Sequence, residues 1–387
     1  MLNINICDKL NKKSIAVIRA IDIRISQAEY ATRFKKFNSL YLSNYNKEIK
    51  NYLKNKSTKY ISLGMKPMYF IDPLKFISGK TVHQSWLVFK QKELERVLKK
   101  IDFYQIQEPF FLYSGQVAEV SKKYDKPLIM APWMCFKHPS TYIPPYSLSV
   151  KKSLEQTDLF IMRTNKVNDY LSLFKLSDKK KVLIYHGVDT KRFYPLKNID
   201  DDKVRILFVG VLDESKGLND ILEIFPKLVK LSKKKLELTI CGRGNLEKKV
   251  VEMSRSLPIK YLGQVSSLDL PEIYRKSDIF CGPSIDAYSF GLKRWEEGFG
   301  FVFVESMASG LPIVTNDCGA IKEVVGDDNF VNRQGDQKKL KDSLLELINN
   351  DNIRKSIGAK NRIRALEMFD IEKQVSKEEK EIEKHFG

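Results

Sequence analysis

Glu297 and Glu305 close the two ends of EGFGFVFVE, and every residue between them is glycine, phenylalanine or valine. Two carboxylates around so apolar a run suit a loop that turns into a buried helix. Gly298 and Gly300 let the main chain approach a ligand closely. A helix starting near Phe301 then presents its first unbonded N–H groups, at Phe301 and Val302, to an anion such as phosphate. Glu297 sits in the loop just before that anion site. Glu305 sits one turn inside the helix, within reach of a ribose hydroxyl.

A second phosphate signal is FVGVLDESKG (208–217), which reads as strand, Gly210, loop, then Lys216-Gly217 ahead of a helix. A lysine there neutralises a diphosphate as a point charge. The GxxxxGK[ST] spacing of a Walker loop is absent. A third loop, CGRGN (241–245), places Gly242 and Arg243 at another strand end. Three glycine-bearing strand ends in one domain describe a nucleotide pocket.

The elements that must carry these loops are legible around them. RILFVG, LELTICG, IKYLG, DIFCGPS and LPIVTN read as short apolar strands. Apolar residues at three-to-four spacing predict helices in LNDILEIFPKLVK, LPEIYRKS, GFVFVESMASG, 338–349 and 351–369. In the first half SIAVIRA, SLYLSN and KYISLG read as strands, and four later segments read as helix then strand. Strands alternating with helices predict an α/β protein of two doubly wound, Rossmann-like domains facing across a cleft, with ligands at the carboxyl ends of the strands. Gly187, Pro195 and Asp200–Asp202 break the pattern and place the hinge near 185–203. The expected domains are 1–195 and 196–369, with 370–387 returning as a helix to the first.

The 387 residues are 43% hydrophobic, enough for two cores, and no run of about 18 apolar residues predicts a spanning helix. The opening MLNINICDKLNKK lacks an apolar signal-peptide core. Five scattered cysteines read as reduced thiols in a cytoplasmic protein, with no zinc site. Residues 1–195 hold 35 Lys+Arg against 16 Asp+Glu, which is the whole net charge of +19. No nucleic-acid recognition motif accompanies that charge. Basic runs at 35–59 and 88–100 carry aromatic or leucine residues, and they predict a peripheral site on an anionic membrane, at its inner face.

In order along the chain, HGVDTKRFYP, FVGVLDESKG, CGRGN, YLG, CGPS and EGFGFVFVESMASGLPIVTNDCGAIKEVV resemble family 4 of the retaining glycosyltransferases, which have the GT-B fold. The likeness is close over 180–335 and in outline elsewhere. It implies transfer of a sugar from a nucleotide-diphosphate donor to an acceptor hydroxyl, with retention and without a metal or other cofactor. It assigns Lys216 to the diphosphate, Glu297 to the sugar hydroxyls, the main chain at Gly300, Phe301 and Val302 to phosphate, and Glu305 to the ribose. Asp200–Asp202 are then a solvated hinge. His138, in FKHPS, stands near the place of a sugar-contacting histidine. The acceptor, a glycan or lipid-linked sugar, belongs to the first domain.

The chain departs from the family pattern at several points. Val211 replaces the usual arginine, and Arg243, Lys293 or Arg294 are candidates to supply the missing charge. His186 replaces the asparagine before GVD. AIDIRISQ (20–27) stands where a glycine-rich loop is usual, and DAYSFGLKRW (286–295) lengthens the loop before Glu297. A GT-B protein that binds nucleotide with impaired catalysis is the alternative reading.

Overall fold

A computed structural model describes residues 12–20, 25–68, 86–196 and 202–387, arranged in two units. The first comprises Met1–Tyr185, Tyr288–Arg294 and Glu372–Gly387, and the second His186–Ala287 and Trp295–Ile371. Cys7, residues 21–24 of AIDIRISQ, and Asp200–Asp201 lie outside the described residues.

In the first unit, strands β1 (Ser14–Ile18), β2 (Asn38–Ser43) and β3 (Lys59–Ser62) are followed by a small antiparallel pair, β4 (Met65–Pro67) and β5 (Leu87–Phe89). Then come β6 (Phe103–Ile106), β7 (Leu128–Met130), β8 (Leu159–Met162) and β9 (Lys180–Leu183). Seven of these form a parallel sheet in the order β3-β2-β1-β6-β7-β8-β9. Its strands are short, apolar and buried at the centre, as a sheet covered on both faces requires. Helices α1 (Ile25–Ala31), α2 (Lys47–Leu53), α3 (Gln91–Leu98), α4 (Leu112–Tyr124), α5 (Tyr146–Gln156) and α6 (Val167–Leu171) connect them. On one face Ala16, Ile18, Leu40, Leu42, Tyr104 and Ile106 meet α3 and α4 in a core.

The second unit repeats the plan. Strands β10 (Lys203–Val209), β11 (Lys235–Cys241), β12 (Ile259–Gly263) and β13 (Ile279–Gly282) are joined by α7 (Leu218–Leu231), α8 (Glu247–Met253) and α9 (Leu270–Arg275). A two-stranded ribbon, β14 (Ala287–Ser289) and β15 (Leu292–Trp295), whose residues 288–294 count with the first unit, precedes α10 (Phe301–Ala308), β16 (Ile313–Asn316), α11 (Ile321–Val325), β17 (Phe330–Asn332), α12 (Gln337–Asn349) and α13 (Asp351–Met368). The sheet is parallel in the order β12-β11-β10-β13-β16-β17. The α/β expectation holds for both units.

Three expectations change. The boundary expected after residue 195 moves to Tyr185/His186, because residues 186–193 are bonded into the second unit. Val188 N donates to Phe369 O (2.9 Å) and Ile371 N to Val188 O (3.1 Å). Arg362 Nη1 donates to the carbonyls of Thr190, Phe193 and Ala308. The insertion read as a loop is the β14–β15 ribbon, turned by Phe290 (φ 49°) and Gly291 (φ 74°). Two consecutive residues at positive φ are what a tight hairpin turn of the right twist needs. The leucines of the 88–100 run also turn inward: Leu94, Val97 and Leu98 are core residues, so α3 offers solvent only polar and charged side chains. In the 35–59 run, exposed Tyr45 stays outside, with Lys50 Nζ 5.9 Å from its ring.

α14 (Ile371–Phe386) completes the first unit. Its Glu378 is fully buried, and three partners explain why that is tolerable. Tyr30 Oη donates to Glu378 Oε2 (2.7 Å), Gln105 Nε2 to Oε1 (2.5 Å), and buried Arg163 pairs with Oε2 at 3.0 Å. A charge so enclosed persists only when paired and hydrogen-bonded.

Candidate functional site

Strand order in the second unit reverses between β10 and β13, since the chain goes outward from β10 through β11 to β12 and then returns to start β13. The loops after β10 and β13 therefore diverge at their carboxyl ends and leave a crevice, the usual ligand position in such sheets. Lys216 follows β10, and Glu297 and α10 follow β13.

The lysine loop is built by short-range bonds. Asp213 Oδ1 accepts from Ser215 Oγ (2.7 Å) and from Lys216 N (3.1 Å), closing a single turn. Gly217 follows at φ 69°, and a Cβ there would lie 1.9 Å from Pro283 O. Only glycine lets this loop meet the chain leaving β13, where Ile285 N donates to Ser215 O (2.9 Å). From that base Lys216 Nζ reaches Glu297 Oε2 at 2.6 Å. The ammonium also lies 4.1 Å from the centroid of the Trp295 ring, a cation–π contact. Both side chains of the ion pair keep some exposure, 23% and 14%. Glu297 is fixed through its main chain: Ala320 N donates to Glu297 O (2.8 Å), and a Cβ on Gly319 would meet that oxygen at 2.1 Å.

Gly300 (φ 74°) starts α10 and, having no side chain, puts no capping oxygen over the N-terminus of that helix. A Cβ on Gly300 would strike the Phe303 ring at 2.4 Å. Phe301 is buried and Val302 partly exposed. Glu305 is 6% exposed and accepts from Tyr274 Oη at 2.9 Å. Burial and that carboxylate together hold the Tyr274 phenol well above its ordinary pKa, so it remains a donor.

Gly242 has a packing reason as well, whereas a Cβ on Gly210 would find ordinary contacts at 3.5 Å or more. Gly242 (φ 140°) lies so close to the first loop that a Cβ would meet Gly210 O at 1.8 Å. Leu212 N donates to Arg243 O (2.9 Å) and Leu246 N to Leu212 O (3.0 Å), interlocking the two loops. The Arg243 side chain is exposed, as is Val211. Lys293 and Arg294 count with the first unit, where Lys293 Nζ lies 5.8 Å from the Tyr288 ring centroid.

The structure thus brings Lys216 and Glu297 into direct contact, with Glu305 on the helix that follows. His138 belongs to the first unit, in the loop after β7. It is stacked on Phe110 (5.4 Å) and set edge-on to Phe136 (5.7 Å). Burial lowers its pKa to about 4, so it is neutral at pH 7. Two residues went unread in the sequence: Tyr274 is a distant partner of Glu305, and Trp295 arrives through an insertion. His186, noted in the sequence before GVD, is fully buried and packs edge-on against Phe301, with ring centroids 4.5 Å apart.

Residues 190–364 match the family model described as glycosyl transferases group 1. The phosphatidyl-myo-inositol mannosyltransferase of Mycobacterium leprae is 32% identical over 153 residues, which are 38% of this chain and 38% of that protein. The chain spans about half the length, or less, of the curated relatives it matches. Among solved structures, Anabaena Alr3699/HepE in complex with UDP and glucose has a TM-score of 0.75 at 13% identity, over 96% of this chain and 100% of that one. Sucrose-phosphate synthase from Thermosynechococcus elongatus gives 0.73 at 14% identity, over 97% and 99%. At such identities the likeness concerns fold. The chain has the GT-B fold of two Rossmann-like domains, and the glycosyl transferases group 1 likeness covers residues 190–364.

Proposed function

We propose that this protein is a retaining, metal-independent glycosyltransferase that moves a sugar from a nucleoside diphosphate to a hydroxyl of a glycan or lipid-linked acceptor. The observation that carries the reading is the Lys216–Glu297 contact, set beside the uncapped start of α10 at the strand-order reversal. A donor entering there finds a cation and helix N–H groups for its diphosphate and a carboxylate for its sugar hydroxyls. Glu297 releases Lys216 to the diphosphate and accepts from the sugar instead. In the reaction the anomeric C–O bond to phosphate breaks, and the departing oxygen takes its electrons. The acceptor oxygen bonds to the same face of that carbon, and its proton goes to the leaving diphosphate. Lys216 and the amides at Phe301 and Val302 stabilise the charge as it develops, without a divalent ion. Glu305, held by Tyr274, binds the ribose.

Related proteins support the donor and acceptor classes: one relative is named for mannosyl transfer to a phosphoinositide, and one structural neighbour holds UDP and glucose. A lipid-linked acceptor fits peripheral placement on the inner face of the cell membrane. The exposed lysines of α2, Lys47 and Lys50, next to exposed Tyr45, offer an anionic surface a basic face. The alternative, nucleotide binding with impaired catalysis, rests on exposed Val211 in place of a second cation.

The deciding experiment is incubation with a panel of UDP- and GDP-sugars, with and without EDTA, scoring free UDP or GDP. Turnover undiminished by EDTA is expected. Tight binding without turnover selects the impaired protein, and no nucleotide binding removes both readings.

A further inference from the structure

We infer that the carboxyl edge of the first unit's sheet is a second binding site, which takes an anionic oxygen of the acceptor, a phosphate or a carboxylate, on Arg19 and Tyr41. The word acceptor rests on the transfer reading above; the site itself rests on the following geometry.

Strand order in this sheet also reverses, between β1 and β6. Arg19 directly follows β1, Glu108 lies just past β6, and Trp133 just past β7, so three chemically capable side chains converge on one switch point. Tyr41 stands on β2 in register with Val17 of β1. The Arg19 guanidinium carbon is 5.4 Å from the centroid of the Trp133 ring. Trp133 is only half-buried, which sets the cluster next to the surface.

Arg19 is 4% exposed and Tyr41 0%. Among the described residues, neither Arg19 Nη1 nor Tyr41 Oη has a hydrogen-bond partner. Buried polar groups without partners are rare and costly, most of all on a charged side chain. Arg163, in the same unit, meets this problem with Glu378 at 3.0 Å. Among the described residues Arg19 has no equivalent. The nearest candidate, Glu108, spends Oε1 on the amides of Trp133 (2.7 Å) and Met134 (3.1 Å). Burial already pulls the Arg19 pKa down, yet a guanidinium does not give up its proton. The orphaned guanidinium atom is a donor, and the phenol beside it donates too. An oxygen with negative charge satisfies both; a metal ion or an ammonium group leaves the guanidinium unsatisfied. Arginine's planar fork suits phosphate and carboxylate.

The test uses the full chain saturated with UDP, so that the second unit's phosphate site is filled. Ligand-observed NMR titrations compare sn-glycerol 3-phosphate, D-glycerate and neutral glycerol, and a fourth arm presents phosphatidic acid in detergent micelles. The phosphate or the carboxylate probe is expected to bind and glycerol to fail; a preference for the micellar arm identifies a lipid headgroup as the source. Arg19→Gln should weaken the anionic probe by about tenfold or more, the loss typical of one charge-assisted hydrogen bond. Tyr41→Phe keeps the ring and should weaken it a few-fold, and it stands in if Arg19→Gln does not fold. UDP affinity is measured by calorimetry on the same samples. Unchanged UDP binding with no binding of any anionic probe means that the cluster holds only ordered water and overturns the inference. Wild-type probe affinity in the folded variants overturns it too. Loss of UDP binding in the unmodified protein would strike the transfer reading instead.

Discussion

The carboxyl edges of the two sheets solve the same problem with different materials. In the second unit main chain builds the edge, and the Lys216–Glu297 pair projects from it. Gly217, Gly242, Gly300 and Gly319 each allow a contact that a Cβ would prevent, and the loops interlock through backbone hydrogen bonds. In the first unit the edge is made of large side chains: Arg19, Tyr41, Glu108, Trp133 and the His138 stack. On the transfer reading proposed above, a main-chain edge would recognise what nucleotide donors share, a diphosphate. A side-chain edge is free to differ wherever the other substrate differs. The shared part is therefore rigid and the individual part is written in side chains.

The largest expected effect breaks the side-chain network of the first unit. Glu378→Ala leaves Arg163 buried without its carboxylate, which typically costs about 3–5 kcal/mol. Urea unfolding should show a destabilised transition for the first unit and an unaltered one for the second. Coincident, unshifted transitions would show that the ion pair contributes no net stability.

The main-chain edge is probed next. Lys216→Ala should lower turnover by about 10²–10³, the usual loss for a preorganised charge at a leaving group, or about 2.7–4 kcal/mol. A loss below about threefold would remove Lys216 from the mechanism. Tyr274→Phe takes the donor from buried Glu305 and should cost about 1–3 kcal/mol in unfolding of the second unit, with weaker UDP binding alongside. Unchanged values for both would show that Glu305 is held by other groups.

A last test sharpens the contrast by pH. His138 titrates near 4 in the folded chain and near its ordinary 6.5 when unfolded, because burial opposes its charge. The folded state thus binds this proton less well. Stability from neutral His138 is complete above about pH 6.5, and it falls as pH drops toward 4. Comparing urea midpoints of the wild type and His138→Phe across that range isolates the contribution. Parallel curves would mean that the ring is not buried in solution.

What the sequence disclosed follows the same division. The glycines before helices, Lys216-Gly217 and EGFGFVFVE are local patterns, so the loops at the carboxyl edge and the alternating elements of the second unit were legible from the sequence. The boundary was misplaced because residues 186–193 are held by Arg362 and by the main chain of 369–371, far away in sequence. The hairpin at 287–295 was hidden because its turn uses Phe290 at positive φ, where asparagine or glycine is the usual signal. Arg19, Glu108 and Tyr274 carried no signal at all: a buried charge shows itself only through its neighbours in space.

Glu378 also has a consequence for how the chain is made. Gln105 precedes its partner Glu378 by 273 residues, and Tyr30 precedes it by 348. On a ribosome, the strands of the first unit emerge long before α14 does. The second unit, almost continuous in sequence, is synthesised in full during that interval. Domains usually fold in order of emergence. Here the unit that begins first is the one sealed last, and Arg163 remains a charge without its counterion while its neighbour folds.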